Sequence, residues 1–280
     1  MQEARQRAER SIYPDQILYS VTRTHQDYYV RDLADRTSQR IVQPGNKGTA
    51  PAILSALLCI SQMDPDGIVA ILPCDHYYSR ECVFTSTLES AFAIAGARTG
   101  SIVLLGAQPK APEVQYGWIE LGETVVSPHC GVFHVRSFQE KPPLPVAERL
   151  LRSGSLWNTF VMVGHVNAFL ELALASVPGL VHALRAARIC LGRDSETRIA
   201  EWLYGRIAPT DFARQVLSPE ARRLTTIPLG ESEWNDLGDP GRVLSTLLES
   251  DLELPHWAAR WRRETEVEAS SGKCLSMAFA

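Results

Sequence analysis

Asp75 is the residue whose setting most strongly favours chemistry, because it closes the run Gly67-Ile-Val-Ala-Ile-Leu-Pro-Cys-Asp75. Residues 68–72 are all apolar and are flanked by a glycine and a proline, which predicts a strand buried on both faces of a sheet. Open α/β sheets bind ligands beyond the carboxyl ends of their strands, where a carboxylate suits a Mg²⁺ that also holds phosphate oxygens. The alternative is an ordinary N-cap or turn aspartate before the helix near Glu81.

A second carboxylate, Asp236, lies in the segment Trp234-Asn-Asp-Leu-Gly-Asp239, which follows an apolar strand predicted at residues 224–228. Asp236 could bind the same Mg²⁺ as Asp75. Asp239 precedes Pro240 and is more typical of a helix N-cap, so Asp236 is the better candidate for chemistry.

The loop at residues 45–48 joins a predicted strand to a predicted helix and contains two glycines and Lys47. Glycines permit close backbone approach, and a helix N-terminus offers free N–H groups and the positive end of the helix dipole. This segment could hold part of a nucleotide. The alternative is a glycine turn before a helix capped by Thr49, with Pro51 in the first turn.

Glu140 and Lys141 end a predicted strand that Pro142 interrupts. A glutamate that accepts from sugar hydroxyls beside a lysine that faces phosphate would bind a sugar phosphate, and a solvated edge pair is the alternative. Asn158, predicted in a loop between a helix and a strand, could also bind a hydroxyl-rich ligand. Tyr116 and Gly117 place an aromatic ring beside a close-approach glycine at the start of a strand.

The elements that must position these residues alternate between strand and helix. The predicted strands are residues 16–22, 40–43, 68–72, 101–106, 116–121, 131–138, 160–163 and 224–228. The predicted helices are residues 2–10, 26–35, 49–61, 81–95, 143–153, 166–176, 180–191, 196–204 and 239–248. This order predicts one α/β domain at residues 1–250, with a Rossmann-like, mixed but mostly parallel sheet and flanking helices, followed by a tail at residues 251–280.

Composition excludes several functional classes. The 280 residues carry a net charge of −4, so no basic surface for nucleic acid or anionic membrane is predicted. No apolar stretch reaches the roughly 20 residues of a membrane span, and the charged N-terminus lacks a signal-peptide core, so we expect a cytoplasmic protein. Six scattered cysteines fit buried thiols in a reducing compartment. Zinc held by Cys74, His76 and Cys82 is a weak alternative, because a second ligand pair is lacking.

Taken in order, the candidate segments resemble the motif set of the mannose-1-phosphate guanylyltransferases, which are sugar-nucleotide nucleotidyltransferases. The matching segments are Gly48-Thr-Ala-Pro-Ala52, Leu72-Pro-Cys-Asp-His76, Tyr116-Gly-Trp-Ile119, Glu140-Lys-Pro142, Leu156-Trp-Asn158, Phe160-Val-Met162 and Trp234-Asn-Asp-Leu-Gly238. The resemblance covers about residues 1–248. It implies a GT-A-like fold and the reaction of GTP with mannose 1-phosphate to give GDP-mannose and pyrophosphate.

The resemblance also implies a role for each candidate residue. Asp75 and Asp236 would hold Mg²⁺, and Lys141 would complete the catalytic set by facing the sugar phosphate. Thr49, Ala50 and Pro51 would lie against the nucleotide, beside Lys47. The sugar would be surrounded by Tyr116, Gly117, Glu140 and Asn158. The partners implied are GTP and mannose 1-phosphate, with no nucleic acid or membrane, and assembly into a homo-oligomer is left open.

The chain departs from the family at its start. The family begins with a strand and a glycine-rich loop of the type G-x-G-T-R-L-x-P-L that cradles the triphosphate, and this sequence has no such loop. We therefore expect the first strand of the sheet to be missing and its neighbours to have exposed edges. A catalytically impaired, sugar-phosphate-binding or regulatory relative is one alternative. A Mg²⁺-dependent glycosyltransferase is disfavoured, because those enzymes usually carry Asp-x-Asp where this chain has Asp75-His76-Tyr77.

Overall fold

The computed structural model describes residues 2–34, 39–127, 131–187, 194–251, 253–258 and 261 of the chain. Its strands are β1 (Leu18–Thr22), β2 (Gln39–Gln43), β3 (Ile68–Ile71), β4 (Tyr77–Tyr78), β5 (Ile102–Ala107), β6 (Gly117–Thr124), β7 (Phe133–Glu140), β8 (Leu156–His165), β9 (Leu224–Pro228) and β10 (Trp234–Asn235). Its α-helices are α1 (Gln2–Ala8), α2 (Gln26–Tyr29), α3 (Thr49–Met63), α4 (Glu81–Ala97), α5 (Leu144–Arg152), α6 (Val166–Ser176), α7 (Pro178–Ala187), α8 (Asp194–Tyr204) and α9 (Pro240–Glu249). Most of the predicted tail, residues 251–280, lies outside the described residues.

The largest sheet in the described part of the chain has six strands in the order β3-β8-β5-β9-β7-β6. β5 and β9 are parallel, whereas β8 opposes β3, β5 and β6, and β7 opposes β9 and β6. Four of these strands therefore run one way and two the other. The predicted mixed α/β sheet with flanking helices is confirmed. Most adjacent pairs are nevertheless antiparallel, because both reversed strands lie inside the sheet.

Each face of this sheet carries its own apolar core, because side chains alternate along every strand. On β5, Leu104 packs on the face covered by α3, α6 and α7, while Leu105 packs on the face covered by α4 and α5. On β8, Met162 and Val163 divide in the same way. A strand that is covered on both faces has an almost continuous apolar sequence. This is why the apolar runs at β3 and β5 were sufficient to predict buried strands.

β8 is longer than predicted. Residues 156–158 were expected in a loop, but they begin a ten-residue strand, and Trp157 and Asn158 are buried within it. Trp157 lies opposite Ala107 on one side and opposite Trp118 on the other. Pairing on both sides draws these residues into the sheet although their local sequence is not typical of a strand.

β1 and β2 form a separate, parallel two-stranded sheet beside the main one. Among the described strands, β1 pairs only with β2, and β3 pairs only with β8. Within the described residues, each of these two strands therefore has one edge without a paired strand. No helix in the described part of the chain is both long and apolar enough to cross a bilayer.

Candidate functional site

A cavity of about 1120 Å³ opens beside β3 and carries most of the predicted site residues on its wall. The predicted residues that line it are Thr49, Asp75, Tyr116, Gly117, Glu140, Lys141, Asn158 and Asp236. They come from segments spread over almost 190 residues of sequence. The fold therefore gathers them at one place, as ligand sites of α/β sheets require.

Asp75 and Asp236 are brought together by the short antiparallel pair of β4 and β10. Tyr77 lies opposite Asn235 and Tyr78 opposite Trp234, so the segments that carry the two carboxylates run side by side. The Asp75 side chain is 62% exposed. Desolvation by the surrounding protein raises the pKa of Asp75, and the Asp236 carboxylate raises it further. A cation bound near these two carboxylates would relieve their repulsion.

His76 lies next to Asp75, on the side of the protein interior. The indole Nε1–H of Trp234 donates to His76 Nδ1 at 3.2 Å, and His76 Nε2 lies 3.8 Å from Asp75 Oδ1. Burial lowers the pKa of His76 to about 4, so the ring is neutral at pH 7. Because Nδ1 accepts, Nε2 carries the proton and presents it toward Asp75.

Asp236 is held by an arginine that the sequence analysis did not single out. Arg242 Nη1 donates to both carboxylate oxygens of Asp236, at 2.7 and 2.9 Å. The same guanidinium lies 4.5 Å from the centre of the Tyr116 ring, and the Tyr116 hydroxyl lies 3.4 Å from Asp236. Burial and then the Asp236 carboxylate raise the pKa of Tyr116, which keeps the phenol protonated as a donor.

An aromatic wall, defined as Tyr116, Trp118, Trp157 and Trp234, backs this part of the cavity. The Tyr116 ring centre is 5.1 Å from that of Trp157 and 4.9 Å from that of Trp234. Trp118 meets Trp157 edge-on at 6.1 Å. The two contacts of Trp157 are edge-to-face, an arrangement that favours particular ring orientations beyond what burial alone would do.

Gly117 stands where the cavity wall leaves little room for a side chain. A Cβ at this position would lie 2.7 Å from Glu140 Oε2 and 3.2 Å from Asn158 Cβ. The Asn158 side chain is in turn fixed by its Oδ1, which accepts from the Phe160 N–H at 3.1 Å. Gly117, Glu140 and Asn158 thus form one tight corner of the cavity.

Glu140 and Lys141 occupy the end of β7, where the chain turns sharply. Lys141 has a φ of +50°, a left-handed conformation that costs a non-glycine residue energy, and its N–H donates to the Tyr116 carbonyl at 3.2 Å. Burial raises the pKa of Glu140 to about 7, and the Asp211 carboxylate adds to that rise against Lys141 and Arg214. Near neutral pH this carboxyl can therefore either donate or accept a hydrogen bond.

The loop before α3 is fastened to residues 210–212. The Lys47 carbonyl accepts from the Thr210 N–H at 2.9 Å, and Thr49 Oγ1 accepts from the Phe212 N–H at 2.8 Å. Gly48 has a φ of +85°, and a Cβ there would clash with the Thr210 carbonyl. Gly48, rather than the predicted Thr49, is the N-cap residue, and Thr49 is the first helical residue.

Three residues predicted against the nucleotide are not on the wall of this cavity. Ala50 and Pro51 are buried in the α3 helix, where Ala50 packs into the core and its N–H donates to the Thr210 carbonyl at 3.0 Å. Lys47 does not line the cavity, because its loop is folded back on Thr210. The local pattern of a glycine turn before a helix was read correctly, but it does not specify which side chains face the cavity.

The site residues that sequence reasoning missed are Arg242 and Asp211. Asp211 lines the cavity next to Thr49, at 3.5 Å between Asp211 Oδ2 and Thr49 Oγ1. Arg242 follows the N-cap Asp239, whose side chain accepts from the Arg242 N–H at 3.1 Å. That first helical turn was the available signal for Arg242, whereas Asp211 lies 162 residues from Thr49 without any local pattern.

The two aspartates offer carboxylate oxygens, which are ligands that Mg²⁺ prefers. Asp75 offers a solvent-facing carboxylate, and Asp236 offers a second one that Arg242 neutralises. Mg²⁺ is usually bound through one or two carboxylates together with substrate phosphates, so a larger protein cage is not needed. Within the described residues, no group of three or more His, Cys, Asp or Glu side chains is placed to hold a metal ion.

Comparison with known sequences identifies one family and several relatives. The sequence profile of the family described as nucleotidyl transferase matches residues 10–245. The chain is 29% identical over 217 residues to the xanthan biosynthesis protein XanB of Xanthomonas campestris, which covers 77% of this chain and 44% of XanB. It is 32% identical over 214 residues to the mannose-1-phosphate guanylyltransferase ManC of Salmonella typhimurium, which covers 75% of this chain and 44% of ManC. The chain thus spans less than half the length of these curated relatives.

Two solved structures share the fold. One is described as a mannose-1-phosphate geranyltransferase from Thermus thermophilus, with a TM-score of 0.72 and 24% identity, covering 90% of this chain and 68% of the other. The second is described as a mannose-6-phosphate isomerase from Helicobacter pylori, with a TM-score of 0.67 and 18% identity, covering 84% and 89%. At these sequence identities, the two comparisons show a shared fold and nothing more specific.

Proposed function

Because the chain belongs to the nucleotidyl transferase family, we propose that it transfers GMP from GTP to mannose 1-phosphate, giving GDP-mannose and pyrophosphate. The observation that carries the proposal is the meeting of Asp75 and Asp236 in one cavity with Glu140, Lys141 and Asn158. Oxygen ligands for a metal and polar groups for a sugar phosphate are what such a transfer needs. The names of relatives such as the mannose-1-phosphate guanylyltransferase ManC support the choice of mannose and guanosine.

Each residue receives a role from its position. Asp75 and Asp236 would hold Mg²⁺, which when bound neutralises charge on the phosphates. Neutral His76 lies behind Asp75 and adds no charge of its own to the pair of carboxylates. Lys141 attracts the phosphate of mannose 1-phosphate, while Glu140 and Asn158 hydrogen-bond sugar hydroxyls. Thr49, which lines the same cavity, would face the nucleotide.

The transfer needs no covalent enzyme intermediate. A phosphate oxygen of mannose 1-phosphate forms a bond to the α-phosphorus of GTP, and the bond from that phosphorus to the bridging oxygen breaks. Pyrophosphate leaves with the electron pair. The protein contributes by holding the two substrates in line and by stabilising charge, which is the general strategy of phosphoryl-transfer enzymes.

A second function, binding of a sugar phosphate without turnover, is favoured by one observation. Arg242 already neutralises Asp236 at 2.7 and 2.9 Å, so a metal must compete with an ion pair for that carboxylate. The corner formed by Gly117, Glu140 and Asn158 does not depend on that carboxylate. A chain that had lost metal binding would therefore still hold mannose 1-phosphate, as a regulatory relative would.

One pair of measurements separates the two functions. Pyrophosphate release is followed with GTP, mannose 1-phosphate and Mg²⁺, and calorimetry measures binding of mannose 1-phosphate alone. Turnover that requires all three components supports the transferase. Binding without turnover supports the regulatory function, and absence of both contradicts the assignment of this cavity. ATP and glucose 1-phosphate serve as substrate controls. A cytoplasmic location and assembly into oligomers stay predictions.

A further inference from the structure

Four non-glycine residues in the described part of the chain have a positive φ, and three of them lie at the candidate site. Lys141 and Phe160 line the cavity, and Leu237 directly follows Asp236. A left-handed backbone is unfavourable for residues with a Cβ, above all for bulky ones, so it persists only where the surroundings impose it. Phe160, with a φ of +60°, is the bulkiest of the three and lies in the middle of a strand.

Phe160 belongs to a bulge in β8. The register between β8 and β5 shifts here, so residues 159–161 of β8 stand opposite the single residue Leu105. The buried Thr159 donates from Oγ1 to the Leu105 carbonyl at 2.7 Å. Asn158 Oδ1 accepts from the Phe160 N–H at 3.1 Å. Bulges beside functional sites redirect side chains, and these two hydrogen bonds hold this bulge in its conformation.

Along β8, Phe160 lies between the two parts of the site. Its side chain is partly buried, packs against the core under α3 and also forms part of the cavity wall. Two residues before it, Asn158 belongs to the corner proposed for the sugar hydroxyls. Two residues after it, Met162 lies opposite Ile71, the last residue of β3, four residues before Asp75. A sugar 1-phosphate that spans the corner and the carboxylates therefore passes the Phe160 side chain.

We propose that Phe160 is a specificity-determining residue, which limits the size of the sugar substituent next to the carbon that carries the phosphate. This role rests on the proposed binding of mannose 1-phosphate in the cavity. With hydroxyls in the corner and the phosphate toward the carboxylates, C1 and its neighbour C2 lie between them. A hydroxyl on C2 is small enough to lie beside a phenyl ring, whereas a 2-acetamido group needs the space that the ring occupies.

The strained backbone matters because a wall selects by size only if it does not yield. A side chain that moved aside would admit the larger substituent at little cost. Hydrogen bonds of Asn158 and Thr159 fix the main chain on both sides of the strained residue, and packing against the core under α3 holds the Phe160 ring. The bulge thus presents the ring at a defined position in the cavity wall.

The test compares mannose 1-phosphate with its 2-acetamido analogue, which differs only at C2, and calorimetry measures both dissociation constants. We expect the wild type to bind the analogue about a hundredfold more weakly, and Phe160→Gly to reduce that ratio by about tenfold or more. The control Phe133→Gly removes a partly buried ring on β7 that is not on the cavity wall, and it should keep the wild-type ratio. An unchanged ratio in Phe160→Gly, an equal change in the control, or equal binding of both ligands by the wild type would overturn the proposal.

A second pair of variants tests the backbone conformation on which the position of the ring depends. Glycine and alanine both remove the ring, but only glycine adopts the left-handed conformation without strain. Phe160→Gly should therefore unfold at a temperature about 2–4 °C above that of Phe160→Ala. In an extended strand alanine is the more stable of the two, so the reverse order would overturn the proposal. If Phe160→Gly does not fold, Phe160→Asn, which tolerates a positive φ, replaces it in the binding measurement.

Pyrophosphate release separates this proposal from the proposed transfer reaction. Binding of mannose 1-phosphate without turnover would contradict the transfer, while the ratio of dissociation constants would still decide the role of Phe160. Turnover with an unchanged ratio in Phe160→Gly would contradict the role of Phe160 alone. If the wild type binds neither sugar phosphate, both proposals fail.

Discussion

At the scale of single residues, Asp75 is the carboxylate best placed to receive a metal, because its side chain is exposed to the cavity while Asp236 is paired with Arg242. We expect Asp75→Asn to lower Mg²⁺-dependent pyrophosphate release by about a hundredfold or more, since loss of a metal ligand removes several kcal/mol of charge stabilisation. The matched control is Asp66→Asn, an exposed aspartate at the other end of β3. Turnover near the wild-type rate in Asp75→Asn would remove this residue from the metal site.

The ion pair between Arg242 and Asp236 should set how much Mg²⁺ the site needs. Arg242→Gln leaves Asp236 unpaired, so we expect the Mg²⁺ concentration for half-maximal binding to fall, measured by calorimetry or by activity. Arg152→Gln, at an exposed position on α5, should leave it unchanged. An unchanged or raised Mg²⁺ requirement in Arg242→Gln would mean that Asp236 is a structural partner of Arg242.

Glu140 makes stability depend on pH. Its folded-state pKa, about 7, lies above the usual value of 4.5, so the folded protein holds this proton more tightly than the unfolded chain does. The resulting stabilisation is complete below pH 4.5 and is lost as the pH rises through 7.

Urea unfolding from pH 4.5 to 8 should therefore show the wild type losing up to about 3 kcal/mol relative to Glu140→Gln, which cannot ionise. Glu148→Gln, at an exposed position on α5, should follow the wild-type curve. Parallel curves for wild type and Glu140→Gln would show that Glu140 has an ordinary pKa.

At the scale of elements, the start of α3 depends on a backbone conformation that only glycine adopts easily. Gly48→Ala adds a Cβ against the Thr210 carbonyl at a φ of +85°, so we expect a loss of about 1–3 kcal/mol in the free energy of unfolding. Gly45→Ala, in the same loop, meets no atom within 4 Å and should change stability little. Equal effects of the two substitutions in thermal unfolding would contradict the contact with Thr210.

Elements also show what the sequence could and could not predict. The five-residue apolar run before Asp75 was sufficient to place that carboxylate just after a strand. Residues 156–158 were misplaced because their strand character comes from two neighbouring strands. Asp211 was missed for the same reason: it reaches the cavity through a contact with Thr49 that no local pattern encodes.

At the scale of the whole molecule, α1 is fastened to α4 by an ion pair that spans 74 residues of sequence. Arg7 is only 6% exposed, donates to both oxygens of Glu81 at 2.7–3.1 Å and lies 4.7 Å from the Tyr78 ring centre. Arg7→Met leaves Glu81 without its main partner, and we expect a loss of about 2 kcal/mol in the free energy of unfolding. Arg10→Met removes a more exposed arginine 4.0 Å from Glu81 and should matter little. Comparable losses in urea unfolding would contradict the structural role of Arg7.

The aromatic wall has an optical consequence. Trp157 and Trp234 contact Tyr116, and the guanidinium of Arg242 lies over the same phenol ring. Chromophores held this closely in a fixed, chiral arrangement couple their electronic transitions, and a nearby charge shifts the energies of those transitions. Any ligand that displaces Arg242 will therefore alter the near-ultraviolet circular dichroism and the intrinsic fluorescence of the protein. These intrinsic signals can therefore report ligand binding at the place where the metal and the sugar phosphate are proposed to bind.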